Sequence, residues 1–159
     1  MVPERKQPVV TMPYDGMNQQ QFAQRLIDDY KAAGVPPGAV WPQSFNLADI
    51  LYWIEREPEF GRQAVYLEDA ESTAELPVAA EFDRLHAQGV RIWAPPLERS
   101  GTLVAGQNGW YYQTIDAALH RDSDVLHVLD VLARQVGVRA VFSDWPATST
   151  FYANCTGLD

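Results

Sequence analysis

The sequence predicts an α/β fold in which parallel strands alternate with helices. Helical and strand-like patterns alternate along the 159 residues, and the strands are short, nearly continuous apolar runs, as in sheets covered on both faces. Most of these runs end in polar or proline-containing segments, and the strand ends of such sheets gather at one edge, where α/β enzymes place their active sites. About five strands are counted, so we expect a partial (β/α) barrel, short of the eight strands of a closed one.

The first strand-helix pair is predicted close to the N-terminus. A β-branched run at 9–11 forms the first strand, and Asn18 with Gln21 three residues later has the spacing of a capping box, which starts a helix. Gly34 and the two prolines that follow it end this helix. Its apolar stripe consists of Phe22, Leu26 and Tyr30.

The second pair combines a strand at 40–45 with a helix capped by Asn46 and ended before Pro58. Pro42 suits the beginning or the edge of a strand better than its centre. The helical assignment is well supported because its apolar residues recur every three or four positions. These residues are Leu47, Ile50, Leu51 and Ile54.

The third pair begins with a strand at 63–67. Ser72 and Glu75 have capping-box spacing and predict the start of a helix that Gly89 ends, and a further strand follows at 90–93. The apolar positions of the helix are Val78, Phe82 and Leu85.

The C-terminal part is less regular. Glycines interrupt the segment 95–122, for which no regular element is predicted. A helix then begins at Asp122 or Ser123 and ends at Gly137, and a last strand is expected at 138–142. The apolar side of the helix contains Val125, Leu129, Leu132 and Val136.

Composition predicts one soluble domain, residues 1–159, without a membrane span, because no apolar run is long enough to cross a bilayer. The 21 acidic and 12 basic side chains give a net charge of −9, which repels nucleic acid and anionic membranes. Cys155 is the single cysteine and does not indicate the compartment. Residues 1–6 have no apolar core of a secretory signal, so the localisation stays open.

Five strings of residues carry a family resemblance. They are PERK at 3–6, VWPQSF at 40–45, FGRQAVYL at 60–67, LERSG at 97–101 with WYYQT at 110–114, and FSDWP at 142–146. In this order they resemble the C-terminal half of the glycerophosphodiester phosphodiesterases, TIM-barrel enzymes that hydrolyse glycerophosphodiesters to an alcohol and glycerol 3-phosphate. The resemblance covers nearly the whole chain.

The resemblance implies a site at the first string. Glu4 matches a glutamate that, with a Glu-x-Asp pair, holds a divalent cation, calcium or magnesium, and Lys6 matches a lysine that faces the substrate phosphate. Two histidines near the first and third barrel strands act as general base and acid in the family. The chain lacks the segments that would contain these histidines and the Glu-x-Asp pair, so we expect it to be inactive alone and to bind the cation weakly or not at all. The resemblance is also compatible with periplasmic or secreted relatives.

The sequence also departs from the family pattern. Ala94-Pro95-Pro96 runs directly into the string at 97–101, whereas a helix and a tryptophan-bearing strand separate the two in the family. This indicates an internal deletion of one β/α unit. An unclosed parallel sheet has an exposed edge, so we expect self-association or a requirement for the missing N-terminal half.

Further candidate residues lie at strand ends or in the irregular segment. Trp41 and Tyr111 are candidates for substrate binding, although buried packing is the more frequent role of such aromatic residues. Ser44 and Asp144 are interpreted as structural residues at strand ends, because short polar side chains there usually bond the backbone or form turns. Without the resemblance, Glu4 and Lys6 would be interpreted as solvated terminal charges.

Two alternatives to a phosphodiesterase stay open. The chain could be a non-catalytic module in which the aromatic residues at 110–112 stack on a small ligand. It could also be an open-sheet α/β protein of unrelated function, but no glycine-rich phosphate-binding motif follows a strand.

Overall fold

A computed structural model describes residues 1–69, 74–75, 77–93, 115–136, 138, 141–143 and 146–157. The chain forms two compact units, which are described separately. The first consists of 1–67 and 78–92, and the second of 68–77 and 93–159. The assignment of 1–159 to a single domain stays a prediction.

The described strands form one parallel sheet. The strands are β1 (Glu4–Arg5), β2 (Gln43–Ser44), β3 (Val65–Leu67) and β4 (Arg91–Trp93), and they lie side by side in chain order. Helices connect them, as expected for parallel neighbours that need a crossover. The predicted α/β class with parallel strands is therefore confirmed, whereas the partial barrel stays a prediction.

Helix α1 (Gln19–Ala32) begins as predicted. The side chain of Asn18 accepts a hydrogen bond from the Gln21 backbone, and the Gln21 side chain accepts one from the Asn18 backbone, which completes the capping box. The buried face, however, is centred on Ala23 and Ile27. The predicted stripe is confirmed in part, because Leu26 and Tyr30 pack against the core but, like Phe22, they flank this face and are only half-buried.

Helices α2 (Leu47–Arg56) and α3 (Pro58–Gly61) follow β2. Asn46 caps α2 through a hydrogen bond from the backbone of Ala48, which confirms the predicted start. Ile50 and Trp53 of α2 are fully buried. They belong to the core between the helices and the sheet, which also contains Ala23, Ile27, Val40, Phe60, Ala64, Leu85, Val90 and Ile92.

Helix α4 spans Ala79–Ala87. Gly89 follows it and terminates the helix with a positive φ of 83°, as its predicted role requires. The helix begins after Val78, later than the spacing of Ser72 and Glu75 predicts, and Ser72 itself lies outside the described residues. Pro77 gives a physical reason for the later start, since a proline in the interior of a helix lacks the N–H donor and clashes with the preceding turn.

The first strand is also displaced from its predicted place. Val9 and Val10 form a bend, Thr11 is irregular, and the strand is β1, five residues earlier. Val9 is fully exposed, and Val10, Met12 and Phe22 help to line an apolar groove of about 320 Å³ on the surface. The β-branched residues therefore have no sheet neighbour, and β-propensity without such a neighbour does not make a strand.

The longer elements described in the second unit are helical. It contains a 3-10 turn (Asp116–Ala118), α5 (Asp124–Asp130), a π-helical segment (Val131–Val136) and α6 (Pro146–Thr156). Val125 and Leu129 are buried, as the predicted helix requires, and the Tyr152 hydroxyl donates a hydrogen bond to Asp130, 2.9 Å away. Most of 95–122 lies outside the described residues, as do 139 and 140 of the strand predicted at 138–142, whereas Val141 of that strand forms a β-bridge. Within the described part of the chain, no helix combines the length and the apolar character that a bilayer crossing requires.

Candidate functional site

The sheet register sorts the strand residues into two rows. Glu4, Gln43 and Val65 are paired neighbours, and Arg5, Ser44 and Tyr66 form the next row. Successive residues of a strand point to opposite faces, so the two rows face opposite sides of the sheet. The Arg5 row contacts the helices, because Arg5 bonds to α1, Ser44 bonds to α2, and Tyr66 packs against the helical core. The row of Glu4 and Gln43 therefore faces away from these helices.

Glu4 and Lys6 are brought together on β1 and directly after it. Nζ of Lys6 lies 2.7 Å from Oε1 of Glu4, and the two side chains are 78% and 22% exposed. This is an ion pair without hydrogen-bond geometry, since Oε1 of Glu4 is buried and accepts no hydrogen bond among the described residues. The lysine can thus leave for solvent or for an anion while the carboxylate stays largely shielded.

Gln43 was not singled out from the sequence, yet it lies beside Glu4. The residue is 5% exposed, and within the described chain the Oε1 of its side chain has no hydrogen-bond partner. Two buried acceptor oxygens therefore belong to neighbouring residues of the same row. Its position in a predicted strand is the sequence feature that could have identified Gln43. The register of β2 with β1 is needed to place it beside Glu4.

On the helix side, Ser44 and Asp49 form a buried polar network. The Ser44 hydroxyl donates to Oδ2 of Asp49 at 2.9 Å and accepts from the backbone of Asn46 at 3.0 Å. Gln19 of α1 donates to Oδ1 of Asp49 at 2.7 Å. Burial raises the pKa of Asp49, while the hydrogen bonds from Gln19 and Ser44 and the charge of Arg5 oppose the rise. The strand end and the first turn of α2 are thereby tied together.

Arg5 on β1 interacts with this network through the charge of Asp49. Its guanidinium lies over the ring of Phe22, its Nε donates to the carbonyl oxygen of Phe22 at 3.1 Å, and its Nη1 donates to that of Lys6 at 3.2 Å. Burial lowers the pKa of Arg5, and the nearby Asp49 carboxylate partly offsets this effect. Arg5 therefore fixes the backbone that carries Glu4 and Lys6.

Trp41 lies two residues before Gln43, at the amino end of β2. Its backbone N–H donates to the carbonyl oxygen of Met1 at 2.8 Å, and the Arg91 guanidinium lies 5.5 Å from the centre of its ring. Lys6 follows the carboxyl end of β1, so the structure places these two substrate-binding candidates at opposite ends of the strands. Tyr111 and Asp144 lie outside the described residues.

The fit of these residues to a divalent cation is partial. A carboxylate and an amide oxygen are the ligand types that calcium prefers, and both are present at Glu4 and Gln43. No cluster of three or more histidine, cysteine, aspartate or glutamate side chains occurs among the described residues. Glu4 and Gln43 could thus supply two of the oxygen ligands of a cation.

Comparison with known proteins identifies a relative of this chain. A protein of Arthroderma benhamiae described as "Extracellular protein" is 37% identical over 194 aligned positions, which cover 98% of this chain and 79% of that protein. No protein-family model matches the chain, and no solved structure matches it. At this identity and coverage, the chain belongs to the same family as the extracellular protein of Arthroderma benhamiae.

Proposed function

We propose that this chain is part of a glycerophosphodiester phosphodiesterase, which hydrolyses glycerophosphodiesters to an alcohol and glycerol 3-phosphate. The chain would supply Glu4 as a ligand of a divalent cation and Lys6 as a binding group for the substrate phosphate. Without the two histidines and the Glu-x-Asp pair that the reaction requires, the chain alone is expected to be inactive.

The observation that carries the proposal is the shielded carboxylate of Glu4 with a movable ammonium beside it. A buried carboxylate oxygen is costly unless a cation or donors satisfy it. Lys6 neutralises Glu4, but its exposed side chain can also reach an anion at the sheet edge. A cation bound at Glu4 would replace Lys6 as the partner of the carboxylate, and Lys6 could then bind phosphate. Glu4 would thus bind the metal and Lys6 the phosphate of the same complex.

The net charge of the chain gives a physical reason for a bound cation at the substrate site. With a net charge of −9, the protein repels an anionic diester at a distance. A bound divalent cation supplies the charge that neutralises the transferred phosphoryl group. Arg5 stays on the helix side, bonded to Phe22 and Lys6, and there it holds the position of β1 and does not bind substrate.

The alignment with the relative supports the proposed deletion. The alignment has 194 positions and this chain has 159 residues, so at least 35 positions of the relative have no counterpart within the aligned part of this chain. This is about the length of one strand and one helix with their loops. A missing β/α unit between Pro96 and Leu97 would account for it.

The name of the relative bears on localisation. The Arthroderma benhamiae protein is described as extracellular, and we extend this location to the present chain as part of the proposal. The test is to detect the protein in culture medium, and its retention in the cell would contradict secretion.

The proposed activity is tested with the product of the complete reading frame. We expect it to release glycerol 3-phosphate from glycerophosphocholine in calcium or magnesium, and we expect Glu4→Gln to abolish this release. The isolated chain should show no turnover, but it should bind glycerol 3-phosphate at millimolar concentration, as observed by phosphorus NMR, and Lys6→Ala should weaken this binding.

Two outcomes would overturn the proposal. One is a complete product that hydrolyses no glycerophosphodiester and an isolated chain in which Lys6→Ala leaves binding unchanged. The other is binding that depends on the aromatic residues at 110–112 and not on Lys6, which would favour a non-catalytic ligand-binding module.

A further inference from the structure

The side chain of Gln43 poses a physical problem that its neighbours do not solve. The residue is 5% exposed, and its Oε1 accepts no hydrogen bond from the part of the chain that the structure describes. Its neighbour on β3 is Val65, whose apolar side chain cannot donate. Its neighbour on β1 is Glu4, whose buried Oε1 is itself an acceptor without a hydrogen bond among the described residues.

Two adjacent buried acceptors are unfavourable unless a positive group lies between them. Native proteins rarely leave such atoms unsatisfied, and each exception calls for a physical cause. Lys6 meets only part of the need, because its ammonium pairs with Glu4 and its side chain is 78% exposed. A compact cation between the two oxygens would satisfy both at once, and calcium combines carboxylate and amide oxygens in this way.

We propose that Oε1 of Gln43 is a second ligand of the divalent cation at Glu4, supplied by the neighbouring strand. The inference rests on the proposed role of Glu4. Parallel strands lie about 4.8 Å apart, so ligands at paired positions can reach a common ion that coordinates each oxygen at about 2.4 Å. Gln43 would thereby replace part of the ligand set that this chain lacks, with a neutral oxygen that adds no further negative charge.

If the side-chain amide of Gln43 has the opposite orientation, the expected effect of its removal on cation binding is reversed. If the amide nitrogen of Gln43 instead donated to Glu4, it would compete with a cation for the carboxylate. Removal of the amide would then strengthen cation binding, whereas removal of a ligand weakens it. The sign of the change therefore decides between the two arrangements.

The test measures terbium binding by the chain, with luminescence sensitised by its aromatic residues and with calcium as the competitor. Gln43→Met preserves the length of the side chain and removes the oxygen, so we expect its affinity for terbium and calcium to fall about tenfold. Gln43→Glu should raise the affinity. Gln88→Met is the control, because Gln88 is exposed at the end of α4, and it should bind as the native chain does.

A second measurement does not depend on the ion. Without a cation, Gln43→Met removes a buried unsatisfied acceptor, so its melting temperature should equal or exceed that of the native chain. A lower melting temperature would show that Gln43 already has a good partner and would overturn the inference.

The outcomes separate this inference from the proposed function. Loss of terbium binding in Glu4→Gln, together with unchanged or tighter binding in Gln43→Met, overturns the role of Gln43 alone. Unchanged binding in Glu4→Gln, or no terbium binding by the native chain at millimolar concentration, overturns the cation site itself and the inference with it.

Discussion

Gly61 is the position at which the structure predicts the largest effect of a single added methyl group. The glycine ends α3 where this helix turns back onto α2. A Cβ at this position would lie 2.6 Å from Cα of Ile54 and closer still to the carbonyl oxygen of Trp53. Both are backbone atoms, so no side-chain rotation can relieve the overlap.

The magnitude of the effect follows from this geometry. An ordinary contact of 3.4 Å with Ile54 requires α2 and α3 to separate by at least about 0.8 Å, the closer carbonyl oxygen of Trp53 requires more, and the buried Trp53 and Phe60 would have to repack. Overpacking of a core costs about 1–3 kcal/mol, and replacement of a helical glycine by alanine returns at most about 1 kcal/mol. We expect Gly61→Ala to lower the free energy of unfolding by about 2 kcal/mol.

Urea denaturation followed by tryptophan fluorescence measures this change. Gly38→Ala is the matched control, because no heavy atom lies within 4 Å of its added Cβ and its φ is not positive. The control should leave stability unchanged or raise it by about 0.5 kcal/mol, since alanine restricts the unfolded chain. If Gly61→Ala is as stable as Gly38→Ala, the close packing of α2 and α3 described here is wrong.

Three further predictions concern the buried polar groups and the sheet edge. Burial raises the pKa of the Asp49 carboxyl above its ordinary 3.8, so the folded state binds this proton more tightly than the unfolded state does. Ionisation of Asp49 therefore lowers the stability of the native chain as the pH rises from about 4 through the raised pKa. The stability of Asp49→Asn relative to the native chain should therefore increase over this interval in urea titrations, and a difference that is independent of pH would contradict the shift. Trp53→Phe should cost about 2–3 kcal/mol by denaturation, because Trp53 is fully buried and its indole N–H donates to the carbonyl oxygen of Ala23 at 3.1 Å; a loss below about 0.5 kcal/mol would contradict this packing. Among the described residues β1 pairs on one side only, so sedimentation velocity should show association that increases with concentration, and a monodisperse monomer would argue against an open sheet.

Capping residues in the sequence correctly predicted those helix ends that depend on a single residue. Asn18, Asn46 and Gly89 each act through their own backbone neighbours, so their spacing was sufficient to place three helix ends. Helix α6 was not predicted, because its large apolar residues Phe151 and Tyr152 are adjacent and do not recur at the helical period.

The errors and omissions arise where distant parts of the chain decide the outcome. The run at 9–11 has the composition of a strand, but a strand needs a paired neighbour, and β2 pairs with Glu4–Arg5 instead. Glu4 and Lys6 could be selected as a site only through the resemblance of their string. Gln43 lies 39 residues further along the chain, and only the register of β1 with β2 places it beside Glu4.

The hydroxyl of Ser44 has a mechanical consequence for its neighbour Gln43. Because it bridges the Asn46 amide and the Asp49 carboxylate, the tip of β2 cannot shift without the start of α2 following. An ion captured beside Gln43 should therefore stiffen α2 as well, and slower amide hydrogen exchange in its opening turn would report the event from the other side of the sheet.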